Sequence, residues 1–168
     1  YKGGSLQLWK RYFGKNAKII GIDIDETCKR LEDDGISIYI GNQEDRDFLN
    51  IVKKEVGKVD IIIDDGGHFM NQQIVSFEEL FEVLDENGVY LWEDCQTSYM
   101  PEYNGGIKTT NTFIEFTKKK SDDMHANYIG QPYVKANSAD EIKSITYYEN
   151  MVFIEKRNKS NLNIHVKI

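Results

Sequence analysis

Acidic residues and one histidine follow the apolar runs of this sequence, at points where buried strands would end. The stretch "VDIIIDDGGH" places Asp64 and Asp65 directly after three isoleucines, and His68 three residues later. The stretch "GVYLWED" ends in the same way, with Glu93 and Asp94. Three hard oxygen ligands, Asp65, Glu93 and Asp94, suit Mg²⁺, Mn²⁺ or Ca²⁺ and suit zinc poorly. Without a cation, these carboxylates would repel one another and raise one another's pKa values.

His68 belongs to the same group because it follows Asp65 by three residues. An imidazole with an ordinary pKa of about 6.5 can accept a proton near neutral pH, so His68 is a candidate general base. Histidines that cap a helix or hold a loop are also common. From the residue types alone, a metal site and a set of separate solvated acids are equally open, as are a catalytic and a structural His68.

A second group of residues could hold a cofactor that contains ribose. Gly3, Gly4 and Ser5 precede an apolar helical pattern, where glycines let the backbone of a helix N-terminus approach a ligand. Asp23 ends the run "IIGID", a place where an acid commonly binds two ribose hydroxyls. The alternatives are an ordinary tight turn and a helix cap, and Asp25 is the better candidate for the cap.

The elements that must position these residues form a repeating pattern. Four runs, apolar at successive positions, predict strands buried on both faces: "AKIIGIDID", "GISIYIG", "KVDIIIDD" and "GVYLWED". Helical patterns over 44–57 and 71–88 separate them, and "SITYYENMVFIEKR" predicts a hairpin near the C-terminus. We therefore expect an α/β, Rossmann-like, doubly wound and mostly parallel sheet with an antiparallel C-terminal hairpin. The polar strand ends should line one rim of it.

The first residues of the sequence do not fit this pattern completely. A Gly-Gly-Ser turn that leads into an apolar helix normally follows a strand, and no strand pattern precedes it here. A sheet without that strand would lack its middle. We expect residues 1–168 to form a single domain, truncated at its N-terminal side, whose first strand is missing from this sequence.

Composition excludes several classes of protein. The formal net charge is −7, which disfavours binding to a phosphate backbone, so no nucleic-acid partner is expected. No run reaches the roughly 18 apolar residues that a membrane span needs. The two cysteines, Cys28 and Cys95, are too far apart in sequence for a disulfide framework or a zinc cluster. A cytoplasmic location is the expectation that follows.

Taken together, the motifs resemble those of class I S-adenosylmethionine-dependent methyltransferases. Within that class they are most similar to the metal-dependent sugar O-methyltransferases of the macrocin and mycinamicin type, with cephalosporin hydroxylase-like and rhamnosyl O-methyltransferase proteins as relatives. The resemblance runs from Gly3 to about Lys156 and rests on an ordered set of motifs: "GGSLQLWKRYF", "IIGIDID", "GNQED", "VDIIIDDGGH", "GVYLWEDCQTSY" and "SITYYENMVFIEK". It differs from the family pattern at Gly67, usually serine, and at Cys95, usually aliphatic.

The resemblance implies a role for each group of residues. The cofactor-binding residues would be Gly3, Gly4, Ser5, Asp23, Asn42, Gln43, Asp45 and Asp64. The metal ligands would be Asp65, Glu93 and Asp94, with His68 as the catalytic base and Thr97 to Tyr99 beside the acceptor pocket. The cofactors would be S-adenosylmethionine and Mg²⁺ (or Mn²⁺), and the partner a small-molecule or glycan acceptor. Many relatives self-associate, so the resemblance leaves the oligomeric state open between a monomer and a homo-oligomer.

The function implied is methyl transfer from S-adenosylmethionine to a sugar hydroxyl with the help of a divalent metal. One alternative is a haloacid-dehalogenase-like phosphatase, because "DIDET" fits a D-x-D-x-T signature. Asp23 would then be the nucleophile and Asp25 the acid/base, while Asp64 and Asp65 would help to hold Mg²⁺. The other alternative is a non-catalytic module that binds S-adenosylmethionine or a nucleotide.

Overall fold

The computed structural model describes residues 4–125, 128–129 and 141–158 of the 168-residue chain. Gly3, a predicted cofactor residue, lies outside the described residues. Helices and strands alternate as the sequence predicts, in this order: α1 Gly4–Phe13, β1 Ile19–Asp23, β2 Ile36–Ile40, α2 Arg46–Val56, β3 Val59–Asp64, α3 Met70–Leu80, β4 Leu84–Trp92, α4 Phe113–Met124, β5 Ile142–Tyr147 and β6 Val152–Lys156. Three short 3₁₀ helices cover Glu26–Leu31, Cys95–Tyr99 and Pro101–Tyr103.

Four strands form one sheet, in the order β3-β4-β6-β5. Strands β3 and β4 are parallel, and β6 runs antiparallel to both of its neighbours. The predicted C-terminal hairpin is thereby confirmed, with Tyr147 opposite Val152 across its turn. Asp64 lies opposite Trp92 in the parallel pair, so the acids that follow these two strands emerge side by side.

Strands β1 and β2 form a separate parallel pair. Within the described part of the chain, β1 pairs only with β2 and β3 pairs only with β4, which leaves each with one open edge. Ile61 of β3 is 44% exposed, although strands at this position in an α/β sheet are normally covered. The α/β class is confirmed.

The predicted helix over 71–88 is too long, because α3 ends at Leu80. Leu84 lies within that helical pattern, but it begins β4 and is opposite Val59. The backbone N–H of Val59 donates to the carbonyl of Val83 at 3.0 Å. The apolar spacing of the residues after Leu80 fits a helix, but pairing with β3 makes them part of a strand instead.

The two sheets are joined by contacts between α2 and α3. Arg46 and Lys53 of α2 form ion pairs with the carboxylate of Glu79 in α3, with N···O distances of 2.6 and 2.8 Å. Asp45 caps α2 by accepting from the backbone N–H of Asp47, and Gly57 ends this helix with a φ of 73°. This pair of helices fixes the end of β2 relative to the end of β3.

The core lies behind the acids, against one face of the four-stranded sheet. Tyr90 and Trp92 are fully buried, with their rings stacked 4.3 Å apart between centroids. Phe77 of α3 and Phe113 of α4 pack against Trp92, with ring centroids 5.0 and 4.8 Å from that of Trp92. Aromatic burial of this size dominates core energetics, and here it supports the end of β4 from which the acids follow. No helix among the described residues has the length and apolar character to cross a bilayer.

Candidate functional site

Asp65, His68 and Asp94 come together at the rim where β3 and β4 end. The imidazole Nε2 of His68 lies 3.5 Å from Oδ2 of Asp94 and 3.9 Å from Oδ1 of Asp65. One ligand atom from each residue lies within 4.8 Å of the other two, a spacing that can surround a single ion. Two hard oxygen donors at this spacing fit a divalent cation such as Mg²⁺ or Mn²⁺.

Glu93 lies close to the same cluster. Burial raises the pKa of Glu93, and the negative charges of Asp65 and Asp94 raise it further. Burial also raises the pKa of Asp65, as does Asp94, while His68 acts in the opposite direction. Among the described residues, however, the ligand atoms within 4.8 Å of one another belong to Asp65, His68 and Asp94, so Glu93 is near this cluster without being part of it.

Two residues of the cluster have left-handed backbone conformations. The φ angle of His68 is 59° and that of Asp94 is 52°. Such conformations cost about 1–3 kcal/mol each in non-glycine residues and occur often at functional sites. The Asp94 carbonyl accepts from both the backbone N–H and the hydroxyl of Thr97, which stabilises this turn. The backbone therefore aims both side chains at one point.

The two ring nitrogens of His68 have different surroundings. Nε2 faces the carboxylates, whereas Nδ1 is buried and has no hydrogen-bond partner among the described residues. The His68 side chain is only 18% exposed, compared with 57% for Asp65 and 48% for Asp94. Nε2 is thus the nitrogen available to accept a proton from a molecule held at the acids.

The predicted cofactor residues at the start of α1 and at the end of β1 are accessible. Gly4 and Ser5 begin α1 and are exposed, and a Cβ added to Gly4 would meet nothing within 4 Å. Asp23 ends β1, is exposed and accepts from the backbone N–H of Asp25 at 2.9 Å. Asp25 accepts in turn from Thr27, the capping role that the sequence predicts for it. Asp23 and Asp25 line a cavity of about 230 Å³.

The loop after β2 uses most of its polar side chains internally. Oδ1 of Asn42 accepts from the backbone N–H of Glu44 at 3.1 Å. Oδ1 of Asp45 accepts from Asp47 and Phe48 as the cap of α2. Asn42 and Asp45 therefore stay predictions as cofactor ligands, each with one oxygen engaged in the loop.

Asp64 lies inside the protein, unlike its neighbour Asp65. It is buried at the end of β3, accepts from Gln43 Nε2 at 3.1 Å and is 3.4 Å from the hydroxyl of Tyr90. Burial raises the pKa of Asp64 to about 6, although hydrogen bonds from Gln43, Gly66 and Tyr90 lower it. The two adjacent carboxylates are thus divided between an internal network and the rim.

Sequence reasoning missed two contacts of the site. Gln96 donates to Oδ1 of Asp94 at 3.0 Å, and a polar residue two positions after a candidate ligand was the only signal for it. Gln43 donates to Asp64 across the two sheets, which no local pattern indicates. In the segment predicted to border an acceptor, Ser98 is buried and Tyr99 is 51% exposed.

Comparisons with known proteins place the chain among named methyltransferases. It is 34% identical over 161 residues to the 8-demethyl-8-alpha-L-rhamnosyl tetracenomycin-C 2'-O-methyltransferase of Streptomyces olivaceus, which covers 94% of the chain and 42% of that protein. It is 31% identical over 159 residues to the mycinamicin VI 2''-O-methyltransferase of Micromonospora griseorubida, covering 92% and 39%. The chain spans about two fifths of the length of these relatives. No protein-family model matches it.

Solved structures give the same result. MycE methyltransferase from the mycinamycin biosynthetic pathway, in complex with Mg and SAH, matches with a TM-score of 0.88 and 28% identity, over 96% of this chain and 42% of that one. The complex of MycE with Mg, SAH and mycinamycin VI matches with a TM-score of 0.87 and 29% identity, over the same shares. The predicted family resemblance is therefore confirmed in both sequence and fold.

Proposed function

This chain is a homologue of the sugar O-methyltransferases of antibiotic pathways, and on that basis we propose that the protein transfers a methyl group from S-adenosylmethionine to a sugar hydroxyl. One observation carries the proposal: Asp65, Asp94 and His68 converge at the rim where β3 and β4 end. We propose as well that residues 1–168 form one methyltransferase domain, since α2 and α3 connect its two sheets.

In the proposed site, Asp65, Glu93 and Asp94 hold Mg²⁺ or Mn²⁺. When bound, the ion would lower the pKa of a sugar hydroxyl and fix its direction. His68 then accepts the hydroxyl proton at Nε2, the nitrogen that faces the acids. The unusual backbone conformations of His68 and Asp94 fit this task, because the base and the ligands must keep a fixed separation.

The methyl donor would be bound by the other strand ends. Asp23 has an accessible carboxylate that can accept from ribose hydroxyls. Gly4 and Ser5 open the N-terminus of α1 to close approach, with Gly3 preceding them in sequence. The remaining predicted cofactor residues lie in the loop after β2 or next to it: Asn42, Gln43, Asp45 and Asp64.

The acceptor we propose is a small molecule or glycan with neighbouring hydroxyls. The names of the relatives support a sugar, since one describes a rhamnosyl substrate and another mycinamicin VI. Tyr99 is half-exposed, and the family resemblance implies that the segment from Thr97 to Tyr99 borders the acceptor. An antibiotic deoxysugar and a surface-polysaccharide sugar satisfy this chemistry equally well.

The proposal is tested by methyl transfer from S-adenosylmethionine to a rhamnoside, with and without EDTA. We expect EDTA to abolish transfer and added Mg²⁺ to restore it. Asp94→Asn should lower activity by more than the roughly 10- to 100-fold loss seen when a partner of a metal ligand is removed. Asparagine is suitable because it tolerates a positive φ. The substitution therefore replaces one carboxylate oxygen of Asp94 by an amide group without disturbing the backbone.

Asp85→Asn is the matched control, because it removes an exposed carboxylate of β4 far from the rim in sequence. Its activity should equal that of the wild type. Full activity in EDTA would contradict the metal role. Binding of S-adenosylhomocysteine without turnover on any sugar with adjacent hydroxyls would favour the binding-module alternative instead.

A further inference from the structure

Gln43 extends from the loop after β2 to the other sheet. Its Nε2 donates to Oδ1 of Asp64 at 3.1 Å and to Oγ of Ser76 at 3.0 Å. Both partners are buried, one at the end of β3 and the other in α3. An amide nitrogen has two protons to donate, and these two contacts use both of them.

The other end of the same amide holds the loop that carries the candidate metal site. Oε1 of Gln43 accepts from the backbone N–H of Gly67 at 2.8 Å. A Cβ added to Gly66 would lie 2.0 Å from this oxygen, so the loop backbone packs directly against the amide. Gly66 and Gly67 separate Asp65 from His68, and the amide therefore fixes the segment between the two.

A second glutamine holds the loop from its other side. Oε1 of Gln72 accepts from the backbone N–H of Phe69 at 3.3 Å, and a Cβ added to Gly67 would lie 2.1 Å from it. His68 lies between the two contacts with its φ at 59°. A non-glycine residue stays in this conformation only when its surroundings hold it there.

We propose that Gln43 is a positioning residue for the metal site, which holds the loop 65–68 so that Asp65 and His68 face Asp94. This inference rests on the proposed function and deepens it. Holding the loop is a role for Gln43 and Asp64 that is separate from the cofactor contact that the family resemblance implies for them. The side chain also links the end of β2 directly to the site after β3.

The first experiment compares Mn²⁺ binding by the wild type and by Gln43→Met. Binding is measured by electron paramagnetic resonance, without cofactor or acceptor. Methionine keeps the length of the side chain but loses its donor and acceptor. We expect Mn²⁺ affinity to fall about 10- to 100-fold, the usual effect of removing a group that orients a metal ligand. Gln7→Met, on the exposed face of α1, is the matched control and should bind normally.

A second readout needs no metal. The backbone N–H of Gly67 donates to Gln43 in the wild type, so its hydrogen exchange should be slow. In Gln43→Met that exchange should accelerate, while the amide of Ile154 in β6, a strand paired on both sides, keeps its protection. Unchanged exchange at Gly67 would overturn the inference.

A reciprocal exchange of acid and amide separates positioning from misfolding. Gln43→Glu alone places a second carboxylate against Asp64 and should weaken Mn²⁺ binding. Adding Asp64→Asn places an amide donor at position 64 opposite the carboxylate at position 43, so a hydrogen bond between the two side chains can form again. That carboxylate would also still accept from the backbone N–H of Gly67. The double variant should therefore recover most of the affinity that Gln43→Glu loses.

The outcomes distinguish this inference from the proposed function. No Mn²⁺ binding by the wild type would overturn both. Equal Mn²⁺ binding by the wild type and Gln43→Met, together with weaker binding of S-adenosylhomocysteine, would overturn the inference alone and make Gln43 a cofactor ligand. Failure of the double variant to recover relative to Gln43→Glu would also count against it.

Discussion

The two halves of the molecule differ in how firmly they hold their polar residues. The four-stranded half contains β3 to β6 with α3 and α4, and Tyr90 and Trp92 of β4 are fully buried there. In the two-stranded half, β1 has no fully buried residue, and Asp23 at its end is exposed. Among the described residues, the two site residues in left-handed conformations, His68 and Asp94, both lie in the four-stranded half.

This difference matches the two tasks that the proposed function requires. Proton transfer and metal binding tolerate little displacement, so their residues need a rigid, well-packed support. Binding of a cofactor hydroxyl by a carboxylate can be completed by small movements of an exposed side chain. We infer that chemistry belongs to the four-stranded half and cofactor affinity mainly to the two-stranded half.

The largest expected effect comes from exchanging one site residue in each half. His68→Asn, in which asparagine tolerates the positive φ, should lower kcat about 10²- to 10⁴-fold because it removes the base. It should leave the affinity for S-adenosylhomocysteine unchanged. Asp23→Asn should instead raise the KM for S-adenosylmethionine by roughly 10-fold, the value of a hydrogen bond to a charged group, and spare kcat.

Steady-state kinetics with calorimetry for S-adenosylhomocysteine checks both variants. The division between the halves would be wrong if Asp23→Asn lowered kcat as much as His68→Asn does. It would also be wrong if His68→Asn mainly changed cofactor affinity.

The sequence predicts the features of this molecule that depend on local patterns, and it does not predict those that depend on long-range packing. Apolar runs that end in acids predicted the strands, the rim and the presence of Asp65 and Asp94 on neighbouring strand ends, because a parallel sheet brings such ends together. The left-handed backbone at His68 and the contact from Gln43 to Asp64 could not be predicted. They depend on the packing of α2 against α3, a long-range arrangement that local patterns do not contain.

A matched pair of core substitutions tests the packing itself, with a smaller expected effect. Ile154 in β6 is fully buried, whereas Ile20 in β1 is only partly buried. Ile154→Ala should lower the free energy of unfolding by about 2–5 kcal/mol, the usual cost of such a deletion in a closed core. Ile20→Ala should cost distinctly less, because its side chain already contacts solvent.

Urea unfolding of both variants gives these values, provided that the transition is two-state. Equal losses of unfolding free energy would show that the two halves are packed equally well, which would contradict the difference in packing described above. A larger loss for Ile20→Ala would show that the two-stranded half is the better packed one.

The smallest expected effect concerns the pH dependence of stability that arises from Asp64, the buried carboxyl of the four-stranded half. Burial raises its pKa from the ordinary 3.8 to about 6. Between these values the unfolded chain loses the proton while the folded chain keeps it, so this group's contribution to stability falls as pH rises from about 4 to 6 and is constant above. Asp64→Asn removes this titration, so the variant should gain stability relative to the wild type across that window.

Urea unfolding at several pH values with EDTA measures the difference, with Asp85→Asn as the control for an exposed acid. Parallel curves for the wild type and Asp64→Asn would mean that the pKa of Asp64 is the same in the folded and the unfolded chain.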